Sequence, residues 1–244
     1  MAARQELLIA SPWLNAAGSL GFTPPAGWNW PEPPGAFITH PLSLSARQPA
    51  VRRGVIHYPG GSLLHSGLPN PGLSAALQRY GERWAHASLP VWVHLFGGTP
   101  AEVAGLARTL EDVEGVAAIE LGIPPGCSRQ QATELVSAAL GELPLIVQVA
   151  LDRAGEDWLR GLGRLDVCAI SLGAPYGSLP APSAPLSGRL YGPSLLPLAF
   201  QALKTARRWD LPVIAGGGVY RLEDGRALLE AGAWAVQLDT VLWG

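Results

Sequence analysis

Seven stretches of the chain are apolar at nearly every position: 36–40 (AFITH), 91–97 (VWVHLFG), 116–122 (VAAIELG), 143–151 (LPLIVQVAL), 166–173 (DVCAISLG), 211–218 (LPVIAGGG) and 234–240 (WAVQLDT). None alternates apolar with polar residues. Each therefore reads as a strand covered on both faces, the pattern of a parallel sheet. Residues 7–11 (LLIAS) are the candidate for an eighth. Helices fall between them. Thr99-Pro100-Ala101-Glu102 forms a capping box with Pro at the first helical position, and Ser128-Arg129-Gln130-Gln131 forms another. Residues 194–209 and 222–233 complete the helical set, the second closing near Gly232. About eight strands alternating with helices, with no internal repeat or linker, predict one (β/α)8 TIM barrel domain over 1–244 rather than an open doubly wound sheet. Two segments rich in Pro, Gly and Ser, 23–35 and 174–189, interrupt the rhythm. Each follows a strand, so each is expected at the C-terminal face, as a lid or as an ordinary surface loop.

With 48% hydrophobic and 15% charged residues, a large core is expected and disorder is not. A net charge of −2 without a basic stripe argues against nucleic acid as partner. No apolar run reaches membrane-spanning length, and the N-terminal segment lacks a signal-peptide cleavage region. Cys127 and Cys168 are too few for a disulfide or zinc framework. These features together indicate a reducing cytoplasm. Lys204 is the one lysine among 17 cationic residues, so lysine-dependent chemistry has little to draw on.

Candidate chemistry gathers at the strand ends. Gly216, Gly217 and Gly218 remove every side chain where a strand stops, which suits a sharp turn or the close approach of another group. His40, His65 and His94 fall at or near the same face and offer acid–base chemistry. Their spacing is not that of metal ligands, and no metal is expected.

In order along the chain, LNAAGSLGF (14–22), GAFITHPLSLSAR (35–47), SLLHSGLPNPGL (62–73), AAIELGIPPGCS (117–128), RLYGPSLLPLAF (189–200) and the long segment 211–240 resemble segments of the dihydroorotate dehydrogenase family. The resemblance implies an FMN-dependent (β/α)8 oxidoreductase of pyrimidine biosynthesis that dimerises. It implies a phosphate cup of Gly192, Gly216, Gly217, Gly218 and Thr240, whose backbone amides need no cationic side chain. It also places Asn15, Gly18 and Gln148 near the cofactor, and Gly67, Leu68 and Asn70 in a substrate loop.

The sequence departs from that family where the chemistry lies. Pro125 stands where the family has its Cys or Ser base, and proline has no proton to exchange. Cys127, His40 and His65 are the candidates for a replacement base. Family asparagines correspond to Leu64, Gly122 and Cys127, Leu172-Gly173 replaces Asn-Thr, and two family lysines become His40 and Gln148. Asp239 stands where the family has a glycine beside the phosphate, which makes FMN binding depend on where its carboxylate points. The sequence stops just after the eighth strand, where the family has a closing helix; a homo-oligomer contact is expected to cover that face, with Trp243 and Trp234 suited to it. Three readings stay open. One is a family member with a degenerate site, possessing altered dihydroorotate oxidation or none. The second is a non-catalytic barrel that binds a phosphate ligand or serves as a subunit. The third is an active dehydrogenase with rebuilt catalytic groups.

Overall fold

The computed structural model describes residues 7–243. The chain opens with β1 (Trp13–Asn15) and β2 (Pro34–Ile38), then a hairpin of β3 (Gly54–Tyr58) and β4 (Gly61–His65). Next come α1 (Leu73–Ala85), β5 (Val91–Leu95), α2 (Pro100–Glu111), β6 (Val116–Gly122), α3 (Arg129–Ala139) and β7 (Leu145–Ala150). Two 3-10 segments, Leu151–Arg153 and Asp157–Arg164, lead to β8 (Val167–Gly173) and a second hairpin of β9 (Tyr176–Leu179) and β10 (Leu186–Tyr191). The chain then runs through α4 (Leu196–Ala206), β11 (Val213–Gly216), α5 (Leu222–Glu230) and β12 (Ala235–Leu238), with a 3-10 turn at Thr240–Trp243.

Eight parallel strands close in the order β1-β12-β11-β8-β7-β6-β5-β2, the expected (β/α)8 barrel. β3, β4, β10 and β9 form a separate antiparallel sheet. The wall is apolar because each strand is buried on both faces. Outward residues pack under the helices in one large cluster. Inward residues form a second cluster with a member from every barrel strand, Trp92 and Ile146 among them. Each leucine or isoleucine of that cluster contributes on the order of 1.5–3 kcal/mol through burial. Both capping boxes are made: Thr99 and Ser128 each accept from the amide three residues on, and Glu102 and Gln131 answer in return.

Three sequence expectations are corrected. Residues 7–11 form no strand; β1 begins at Trp13, and Leu7 and Ile9 pack against the inner cluster. Pro12 has no N–H for a ladder but offers its carbonyl to the Val236 amide, so pairing starts there. The segment 23–35 is not a lid. It runs between β1 and β2 where a crossover helix would lie, with the Trp30 ring 5.5 Å from that of Trp13 and Glu32 paired to Arg226 of α5 at 2.7 Å. The segment 174–189 lies at the C-terminal face as expected, but half of it is strand rather than loop: β9 and β10 pair with each other, and β10 pairs with β4.

Candidate functional site

Side chains alternate across a strand, so the inward positions recur every second residue. Two residues beyond the inner apolar cluster, these positions become polar: His94 on β5, Glu120 on β6, Gln148 on β7, Ser171 on β8 and Gln237 on β12, all buried. Glu120 is their centre. His94 Nδ1 lies 2.7 Å from its Oε2, Gln237 Nε2 donates to its Oε1 at 2.7 Å, and Gln148 Nε2 donates to Oε2 at 3.3 Å. Burial pushes the Glu120 carboxyl up; the bonds to His94 and Gln237, with the charge interaction with His94, outweigh it and hold the pKa below the ordinary carboxylate value.

One further step along β6 and β8 the inward residues are Gly122 and Gly173. A Cβ at Gly122 would sit 2.6 Å from His94 Nε2, and one at Gly173 would sit 3.0 Å from Gln148 Cδ. These glycines make room for the side chains below them. Above this layer opens a cavity of about 340 Å³ at the C-terminal face. His94, Gln148 and Gln237 line its floor, and β4, β9 and β10 supply its roof. Arg47 and Arg189 bring positive charge to its wall; Arg47 lies over the Phe96 ring at 4.9 Å and Arg189 over Tyr176 at 5.1 Å. Trp243 lines the cavity too, donating its indole N–H to the Ser19 carbonyl at 2.8 Å, while Trp234 packs against the inner cluster. Burial pushes His40 down, only partly opposed by bonds to the Gly18 and Pro69 backbone, so the imidazole is kept neutral near pH 7.

Asp239, the next inward residue after Gln237, also faces this cavity beside Gly216 and Gly217. Its Oδ1 accepts from the Thr240 amide and from the Thr240 hydroxyl, the latter at 3.1 Å. Burial pushes its carboxyl up to about 6 against those two bonds. The glycines expected to form a phosphate cup divide. Gly216 and Gly217 line the cavity. A Cβ on Gly218 would meet Leu196 N at 2.3 Å, and one on Gly192 would meet the Gly60 carbonyl at 2.4 Å. Backbone of α4 and of the β3–β4 turn lies against those two. The cup therefore does not fit an FMN phosphate well: the Thr240 amide is already engaged by a carboxylate that would face the dianion.

The remaining sequence candidates are scattered. His40, His65, Gly18, Gly67, Leu68 and Gln148 line the cavity. The Asn15 amide instead clamps β1 to β2 through both backbone groups of Ile38. Asn70 knits its loop, accepting from Ser43 and Gly72 amides. Pro125 lines the cavity and Cys127 does not. Arg153 holds the carbonyls of Pro124 and Cys127, at 2.9 Å each, and burial pushes the Cys127 thiol up. Glu120, Gln237, Arg47 and Arg189 escaped sequence reasoning as site residues. The signal for Glu120 and Gln237 was a single polar residue inside an apolar strand, in register two beyond an inward small residue.

Comparisons place the chain among known proteins. A Trichlorobacter lovleyi protein named dihydroorotate dehydrogenase B (NAD(+)), catalytic subunit, is 31% identical over 265 residues, covering 96% of this chain and 84% of the relative. The proteins of that name from Pelobacter propionicus and Pyrococcus abyssi are 30% and 28% identical, with 84% and 77% of their lengths covered. No protein-family model matches the chain. Among solved structures, the FabK (M276A) mutant from Thermotoga maritima is similar with a TM-score of 0.54 at 18% identity; 96% of this chain aligns with 62% of that one, a likeness of fold alone.

Proposed function

The chain belongs to the dihydroorotate dehydrogenase family, and from that premise we propose that it keeps the family's barrel and ligand cavity but has a rebuilt site that does not carry out efficient dihydroorotate oxidation. The observation that carries this is Pro125. It stands in the cavity wall, where the family resemblance puts the base, while Cys127 lies outside the cavity. Proton abstraction by a positioned base is worth roughly 10²–10⁴-fold, and proline offers none. Leu64, facing the ligand space, brings no polar side chain to grip a pyrimidine, and Gly122 has no side chain to bring.

What remains suits a small anion with a planar face. Arg47 and Arg189 supply charge, and Phe96, Tyr191 and Trp243 supply aromatic surface. FMN is held weakly in this proposal because Asp239 occupies the anion position from within. The test is turnover of dihydroorotate with excess FMN and a dye acceptor, followed by orotate absorbance. A rate near background is expected. Robust turnover overturns the proposal, and its loss in Cys127→Ala or His40→Gln would name the replacement base.

A further inference from the structure

We propose that His94, oriented by Glu120 and given space by Gly122, is the recognition group on the cavity floor, presenting Nε2 as a hydrogen-bond acceptor to a ligand that carries a ring N–H or O–H. This rests on the reading of the cavity as a binding site for a planar anion. Three observations meet at one ring. Nδ1 is 2.7 Å from Glu120 Oε2, in a layer where neither residue is more than 2% exposed. The carboxylate accepts from Gln148 and Gln237 as well, and among the described residues its partners include neither lysine nor arginine. An ionised carboxylate can only accept, so Nδ1 carries the proton of the neutral ring and Nε2 is left as its acceptor.

The second observation is direction. Nε2 and Cε1 are the atoms nearest to where a Cβ on Gly122 would lie, at 2.6 and 2.9 Å. Any side chain at 122 would take the space of the imidazole edge. The residue that faces the ligand from this part of the barrel is therefore His94, reaching up from one layer below. The third observation is company. Arg47 and Arg189 line the same cavity, so a ligand bound through its negative charge would lie above the floor that His94 helps form. Asp239, also in the wall, bonds to Thr240 and does not compete for Nε2. Glu120 touches no ligand; it is a positioning residue that fixes the tautomer.

Histidine 15N–1H correlation spectra of the whole protein read the tautomer directly. In its neutral form His94 is expected as the Nδ1–H tautomer, with a second form protonated at Nε2 appearing in Glu120→Gln. A neutral His94 found as Nε2–H in the wild type overturns the proposal. Two probes then test recognition: orotate, a planar carboxylate with ring N–H groups, and benzoate, a planar carboxylate with none. His94→Gln is expected to weaken orotate at least tenfold and to change benzoate less than twofold. Equal orotate affinity in wild type and variant overturns the role of His94. Failure of both probes to bind the wild type overturns the anion-site reading instead, and the tautomer still decides the orientation. Should His94→Gln fail to fold, Gly122→Ala makes the same test by displacing the ring.

Discussion

At the scale of single residues, the site is governed by where a charge or a side chain has been added or removed. Asp239 is the plainest case. Its carboxyl is raised to about 6 from an ordinary value of 3.8, chiefly by burial. A raised acid pKa favours the folded state below the unfolded value, and that contribution is lost as pH rises through 6. Asp239→Asn keeps an oxygen for the Thr240 amide and removes the penalty. The variant is expected to be more stable than wild type at pH 8, by at most about 3 kcal/mol at 1.36 kcal/mol per pKa unit. The difference should close by pH 4, as read from urea midpoints. A variant less stable at pH 8 would show that the ionised form is the better partner for Thr240. Gly122 is the opposite case, a position without a side chain. Gly122→Ala puts a Cβ 2.6 Å from His94 Nε2 and is expected to cost about 1–3 kcal/mol by overpacking. In a double-mutant cycle His94→Ala should relieve most of that cost. Additivity within 0.5 kcal/mol would indicate that the ring moves aside freely.

At the scale of elements, the barrel was largely legible and the roof was not. Strands covered on both faces announce themselves as unbroken apolar runs, and helices with side-chain caps announce their starts. Thr99→Ala is expected to cost about 1 kcal/mol through the lost cap of α2, measurable as a lowered denaturation midpoint. α1 gave no such signal: its N-cap is Gly72, with no side-chain cap and no acidic residue in the first turn. β1 was misplaced because three residues make too short a run to outweigh the apolar segment before Pro12. The roof sheet was missed because its strands carry Gly and Ser and lie half exposed, so neither alternation nor continuous hydrophobicity marks them. Its pairing depends on close backbone approach. A Cβ on Gly188 would lie 2.4 Å from the Leu64 carbonyl. Gly188→Val is therefore expected to unpair β10 from β4 and expose 176–191 to limited proteolysis, with the barrel's cooperative unfolding retained. Protection equal to wild type would place the roof's stability elsewhere.

For the molecule as a whole, one architecture separates two jobs. The barrel wall and its inner apolar cluster hold the fold. The polar layer above them and the antiparallel sheet define the cavity whose chemistry we propose has changed. What this proposal treats as missing was legible, because Pro125, Leu64 and Gly122 sit in segments that still resemble the family. What stands in its place was not legible. Glu120 is one polar letter in an apolar strand, and its meeting with His94, Gln148 and Gln237 requires four strands to be curled into a closed barrel. Likewise, Asp239 could be seen as a charge beside a phosphate site, but its bond to the Thr240 amide depends on the turn that follows β12.

The most direct measurement is an FMN titration of wild type and Asp239→Gly, followed by flavin fluorescence at pH 8, where the Asp239 carboxyl is ionised. A carboxylate facing a phosphate opposes binding, and removing it should tighten FMN at least tenfold, or about 1.4 kcal/mol. Equal affinity in the two proteins, or wild type that binds FMN as tightly as the glycine variant, would contradict a site rebuilt around an internal anion.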